Sequence, residues 1–246
     1  MIVHEIMTTT LVTVEPDDTL SQAAHLLRQY QFHHLPVVRT VNVAGSQRTA
    51  YTVRRTTFLF EGLLTSQDIE LAVALADQGR ADSRPHQPWQ ERKVLEVMHR
   101  DAICITPLTS VGAAAQLLVE RGQNCLPVVE YSQSEPQTTV VLVGLLTRSD
   151  LLLALARMMG AFEPGMDLVI SLPIGSMAPL METLSIASAL HIQIRSIIAA
   201  PLADGVPRTA ILRVGTMNPS PLLLHLQAAG IQYAYANPLM EEETHV

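Results

Sequence analysis

The sequence predicts an α+β fold: two β-α-β-β-α repeats related by a pseudo-two-fold, followed by a third unit of different pattern. Three observations carry this. The heptad "GLLTSQD" at Gly62 to Asp68 recurs as "GLLTRSD" at Gly144 to Asp150. A longer stretch, "EIMTTTLVTVEPDDTLSQAAHLLRQYQFHHLPVV" from Glu5, aligns without a gap on "EVMHRDAICITPLTSVGAAAQLLVERGQNCLPVV" from Glu96. After Pro164-Gly165 the apolar pattern changes and no longer matches either copy. A chain that repeats itself at this scale builds the same supersecondary unit twice, so the repeat sets the frame for every other assignment.

Each copy has one grammar. A short strand ("LVTV", "AICI") leads through a turn to a helix whose apolar positions are Leu20, Ala23, Ala24 and Leu27, or Val111, Ala114, Ala115 and Leu118. That is the i, i+3, i+4, i+7 spacing of one buried helical face. "HLPVV" or "CLPVV" follows, then a hairpin, a second apolar strand, and the heptad opening a last helix. Met98 stands 91 positions after Met7, as Pro107 does after Pro16, whereas Gly144 stands 82 after Gly62. The first copy therefore carries extra residues between its "LPVV" and its heptad, in "RTVNVAGSQRTAYTVRRTTF". This segment reads as an extended hairpin with a Gly-Ser tip, made locally basic by Arg39, Arg48, Arg54 and Arg55. Such a face is solvated, or forms a phosphate-reaching arm or partner surface. Between the copies, "DQGRADSRPHQPWQERK" is polar and broken by proline, as a linker is.

The final third reads strand ("DLVISL"), helix ("SMAPLMETLSIASALHI"), strand ("QIRSIIAAPL"), turn, strand ("TAILRV"), helix ending at Gly230, strand ("IQYAYA"). The order βαββαβ is the ferredoxin-like split βαβ arrangement. Domain limits follow: repeat 1 over 1–77, a linker over 78–93, repeat 2 over 94–159, a linker over 160–166, and the last domain over 167–240.

Composition narrows the function. The chain has 246 residues, 48% hydrophobic and 16% charged, which is enough for more than one core. A net charge of -7 argues against bulk binding to nucleic acid or anionic membrane. The start, "MIVHEIMTTT", lacks a signal-peptide pattern, and no apolar run approaches the roughly 20 residues of a bilayer span. Cys104 and Cys125 are the only cysteines and form no CxxC or Cys/His cluster. A cytoplasmic protein with reduced thiols and no metal site is expected. His33 and His34 are adjacent in an extended segment and point to opposite faces, so they do not chelate together. Methionines 158, 159, 166, 177 and 181 gather at the domain junction and read as gap-filling core residues. There is no GxGxxG, P-loop, GxSxG or HExxH, and no nucleophile with a second group to hold it, so no enzyme activity is expected.

The heptad admits two uses. Thr65 with Asp68, and Thr147 with Asp150, fit a capping box, in which the Thr oxygen accepts a first-turn N–H and the acid reaches back. The same helix start offers N–H groups and a positive dipole end to a phosphate. The acid one turn inward suits a vicinal diol, as acidic residues hold ribose in dinucleotide sites. Thr for phosphate and Asp for ribose describe a nucleotide clamp, with the "LPVV" strands and "IM" starts as an apolar slot for a purine.

With Met7, "LVTVEPDDTL", "HHLPVV", "GLLTSQD" and their second-copy partners, residues 3–77 and 94–159 resemble a tandem pair of cystathionine-β-synthase (CBS) domains, a Bateman module. The final third resembles an ACT domain, and the CBS–CBS–ACT order is similar to acetoin-utilisation-type regulatory proteins of bacteria. The resemblance implies two adenosine sites, each drawing on both repeats. In one, Thr147, Arg148 and Asp150 work with Met7, Thr10, Val12 and His33. In the other, Thr65 and Asp68 work with Met98, Asp101, Ile103 and Asn124. Basic Arg148 beside Thr147 gives the first site the stronger expected preference for phosphorylated ligands.

The expected function is that of a homodimeric regulatory sensor that binds AMP, ADP or ATP between the repeats, alone or with magnesium, and requires no cofactor. The change would pass to the ACT-like domain or to a client protein. Gly175, in "PIGSM", opens a loop where ACT domains commonly bind amino acids. The alternatives are a constitutive assembly module without ligand, and a sensor of S-adenosylmethionine, NAD or a cyclic dinucleotide.

Overall fold

The computed structural model describes residues 1–43, 55–79, 88–134, 137–173, 176–199 and 208–236. The tip of the first hairpin with Arg48 and Arg54, the middle of the inter-repeat linker, and Gly175 lie outside them. The chain divides into two compact units, Met1–Leu151 and Leu152–Val246. It is a mixed α+β fold with two four-stranded sheets.

In the first unit, α1 (Leu20–Tyr30) starts at Thr19, whose side chain accepts from Gln22 N–H while Gln22 reaches back to the Thr19 N–H. Leu20, Ala23 and Leu27 are buried, so the predicted face is the packed one. Gln31 then ends the helix in the left-handed region (φ 55°), where the second copy has Gly122 (φ 62°). β1 (His34–Val43) and β2 (Arg55–Thr65) form the hairpin, and α2 (Ser66–Gly79) follows with no loop between. The second copy repeats this with α3 (Val111–Glu120), β3 (Cys125–Ser134), β4 (Gln137–Thr147) and the start of α4 (Arg148–Met158), whose residues from Leu152 on belong to the second unit. The two hairpins join edge to edge through Leu59 and Val141, giving the order β1-β2-β4-β3.

The predicted strands "LVTV" and "AICI" are reduced to single parallel bridges, Val14 to Val37 and Ile105 to Val128. Each bridge sits where the neighbouring strand is irregular, between Val37 and Val38 or Val128 and Val129. Val38 N–H donates to Val14 O and Val129 N–H to Ile105 O. Two residues further on stand Pro16 and Pro107, which have no N–H to continue a ladder.

The repeats exchange their leading segments. Val3, Ile6 and Met7 pack into the core of the second copy, with Ile105, Ala114, Leu118 and Leu146. Val94, Val97 and Met98 pack into the core of the first, with Leu20, Leu27, Leu35 and Leu64. A third cluster, Val38, Val129 and Leu142 flanked by Phe58, Phe60 and Val140, fills the junction of the two hairpins. The exchange is pinned by two reciprocal backbone pairs. Thr8 and Leu145 each donate to the other's carbonyl at 2.9 Å, and His99 and Leu63 do the same at 2.8 and 2.9 Å. The linker residue Trp89 also packs on the first core.

The second unit runs β5 (Met166–Ser171), α5 (Ala178–Ala189), β6 (Ile194–Ile198), β7 (Thr209–Val214), α6 (Ser220–Ala228) and β8 (Tyr233–Ala236). Its antiparallel sheet has the order β6-β7-β5-β8. Leu168, Ile170, Leu212, Leu222 and Leu226 form its core. Arg213, 8% exposed, donates to Asp167 Oδ1 and to Glu163 O, both at 2.9 Å. A Cβ on Gly160 (φ 70°) would stand 3.1 Å from Arg213 Cδ and 3.2 Å from Arg195 Cβ, a tight fit.

The exchange explains the glycine of each heptad. A Cβ on Gly62 would stand 2.6 Å from His99 O, and one on Gly144 would stand 2.6 Å from Met7 Sδ and 3.2 Å from Thr8 O. A methionine tip swings aside more easily than a backbone carbonyl held in a bridge. Gly62→Ala is therefore expected to destabilise the protein by about 1–3 kcal/mol, and Gly144→Ala by less, as overpacking does. Thermal denaturation of the two variants checks this, and an equal or reversed order contradicts it.

Candidate ligand-binding cleft

Each heptad sits where a β-strand runs straight into a helix, so its Thr is the last strand residue and its Asp lies in the first helical turn. The capping box forms in both copies with the same geometry. Thr65 N–H and hydroxyl donate to Asp68 Oδ2 at 2.8 and 2.7 Å, and Asp68 N–H donates to Thr65 Oγ1 at 3.2 Å. Thr147 and Asp150 repeat those three distances. One oxygen of each carboxylate is thus spent on the helix start, and Oδ1 is left to face elsewhere. Each Thr hydroxyl proton is spent too, so in this conformation neither hydroxyl donates to a phosphate.

A cleft of about 490 Å³ opens beside Asp150, within the volume range of small-molecule sites. Of the residues assigned to the first site, Thr10, Val12, His33, Thr147, Arg148 and Asp150 line it. Met7 does not: it packs beneath, with Sδ against Gly144. Asn124, assigned by the resemblance to the second site, lines this cleft instead. The reason is local: Asn124 immediately precedes β3, and its carbonyl accepts from Arg148 N–H at 3.3 Å beside Thr147.

Sequence reasoning missed Thr8, Leu11 and Phe32, which also line the cleft; Cys125 lines it beside Asn124, and His34 lines it together with His33, although the two were read as pointing to opposite faces. Thr8 Oγ1 donates to Asp150 Oδ1 at 3.3 Å. Phe32 is 43% exposed and stacks on Tyr30, with ring centroids 5.5 Å apart. The gapless repeat offered a signal for Thr8, because its counterpart His99 is polar as well. Nothing in the pattern marked Phe32, whose counterpart is Gln123.

Around the second heptad acid, Asp68 Oδ1 lies 2.7 Å from His99 Nε2. Met98 is buried below Gly62. Asp101 is exposed and Ile103 is 36% exposed. Arg148 is also committed: its Nε donates to Gln123 O at 2.9 Å and its Nη2 to Leu118 O at 3.4 Å. Its guanidinium ties the end of α3 to the start of α4.

Burial pushes the Cys125 thiol up to about 12, with the Asp150 carboxylate adding to it, so this thiol stays protonated and unreactive at neutral pH. Burial holds the His34 imidazole below the usual histidine range, His33 pushes the same way, and Asp68 opposes both. The unfolded chain takes up a proton near pH 6.5 that the folded chain resists, so the contribution of His34 to stability is lost as pH falls below about 6.5. His34→Asn is expected to lose less stability than the parent between about pH 7 and pH 5.5. Urea denaturation at both pH values checks this, and parallel losses contradict it.

Comparison with known proteins agrees with the repeat. The CBS domain family matches residues 3–46 and 94–157. The chain is similar to the CBS domain-containing protein YhcV of Bacillus subtilis (strain 168), 28% identical over 149 residues, which covers 61% of this chain and 81% of that one. Among solved structures it is similar to CBSX2 in complex with AMP (20% identity, 63% of this chain and 95% of that one, TM-score 0.43). It is also similar to the CBS domain pair of protein MJ0100 in complex with 5′-methylthioadenosine and S-adenosyl-L-methionine (18% identity, 63% and 96%, TM-score 0.42). The two repeats of the first unit are a tandem pair of CBS domains.

Proposed function

We propose that this protein is a regulatory sensor, and not an enzyme, that binds an adenosine-containing nucleotide in the cleft at Asp150. The observation that carries this is the divided carboxylate of Asp150. Oδ2 is fixed by the helix cap, and among the described residues Oδ1 holds only a 3.3 Å bond from Thr8 at the wall of a cleft of about 490 Å³. A ribose diol replaces that one long hydroxyl bond with bonds from two hydroxyls, both charge-assisted. Leu11, Val12 and Phe32 supply apolar and aromatic surface of the sort a purine needs.

Ribose and base are the anchors in this reading, because the Thr147 hydroxyl and Arg148 guanidinium already have protein partners. The phosphate count is then selected weakly, and S-adenosylmethionine or NAD competes with AMP, ADP and ATP. Because the cleft is walled by both repeats, ligand binding favours one relative placement of the two by its differential affinity for them. The βαββαβ unit serves, in this proposal, as the ACT-like element that dimerises and receives the change.

Asp150→Asn keeps the shape of the cap but removes the charge that the diol sees. Isothermal titration with AMP, ADP and ATP is expected to show binding weakened by about 10- to 100-fold, the worth of a hydrogen bond to a charged group. Unchanged affinity, or no binding of any adenosyl compound by the parent, contradicts the proposal.

A further inference from the structure

Among the differences between the surroundings of the two heptad acids is one pair of equivalent positions. Thr8 and His99 stand at the same place in the gapless repeat, and each is held by a reciprocal backbone pair to the other copy's Gly-Leu-Leu strand. From that place each side chain reaches the Oδ1 atom of the heptad acid. Thr8 does so with a neutral hydroxyl at 3.3 Å, and His99 with an imidazole at 2.7 Å. The Asp68 side chain is only 13% exposed, so little of it remains for another partner.

We propose that His99 sets the ligand stoichiometry of the pair by acting as a built-in occupant of Asp68, which leaves the Asp150 cleft as the one nucleotide site. This rests on the reading that the heptad acid is the ribose acceptor. Asp68 Oδ2 is committed to Thr65, and Oδ1 to His99. An incoming diol must displace a short imidazole bond there, whereas at Asp150 it displaces one long hydroxyl bond. The imidazole holds Asp68 whether doubly protonated or neutral with its proton on Nε2, so the block does not depend on charging the ring. His99 itself is anchored at the backbone on both sides of its peptide, through Leu63 N–H and Leu63 O. The backbone that presents its side chain, itself 63% exposed, is therefore held in place. His99 thus acts as a specificity-determining residue at the second heptad acid, and Thr is the residue that the equivalent position already accommodates at the first.

The test is isothermal titration of the full chain with AMP, comparing the parent, His99→Thr, Asp68→Asn and Asp150→Asn, with circular dichroism melts to verify folding. The expected result is one AMP per parent chain, two per His99→Thr chain, one at unchanged affinity for Asp68→Asn, and a loss of at least tenfold in affinity for Asp150→Asn. Two equal sites in the parent overturn the proposal while leaving the adenosine reading intact. So does a His99→Thr chain that folds and still binds one. Should His99→Thr not fold, Asp68→Asn decides: a loss of parent binding there overturns the proposal. No binding by any chain overturns the adenosine reading, and this inference with it.

Discussion

The first unit depends on two short backbone exchanges, Thr8 with Leu145 and Leu63 with His99. Through them the leading segment of each repeat leaves its own copy and completes the core of the other, so neither CBS repeat buries its apolar face alone. Val3 and Val94 show no exposed surface, and each lies in the core of the opposite copy. The bridges also account for chemistry. They place Thr8 beside Asp150 and His99 beside Asp68, so a residue from one repeat always confronts the acid of the other.

The same constraint explains why the heptad repeats as a whole. Its glycine gives way to the crossing segment, its second leucine (Leu64 or Leu146) feeds a core, and its Thr and Asp close the helix start. In the proposed site capping and ligand recognition do not compete for Asp150, because the carboxylate has two oxygens and the cap takes one. Placing an acid in a first helical turn is itself favourable against the helix dipole. The site is thus built from a group whose presence the fold already favours.

Pseudo-symmetry then gives a chain two chances at one site, and this chain treats them unequally. Thr8 corresponds to His99, Phe32 to Gln123, and His34 to Cys125 in the repeat. The backbone geometry of the two boxes is nearly the same. The differences lie in side chains around the two heptad acids.

The sequence by itself determined the repeat, the order of its helices and hairpins, the buried helical faces at Leu20 and Ala114, and the two heptad boxes. All of these follow from periodicity and from contacts between residues close in the chain. It also placed Thr10, Val12, His33, Thr147, Arg148 and Asp150 together through family likeness. It did not show that "LVTV" and "AICI" shrink to single bridges, that Asn124 lines the Asp150 cleft, or that Arg148 is turned onto Gln123 and Leu118. Nor did it show that His99 holds Asp68. Those were decided by tertiary structure alone, because each depends on which distant backbone a segment crosses. Local spacing carries no record of a hydrogen bond made between residues 31 or 142 positions apart.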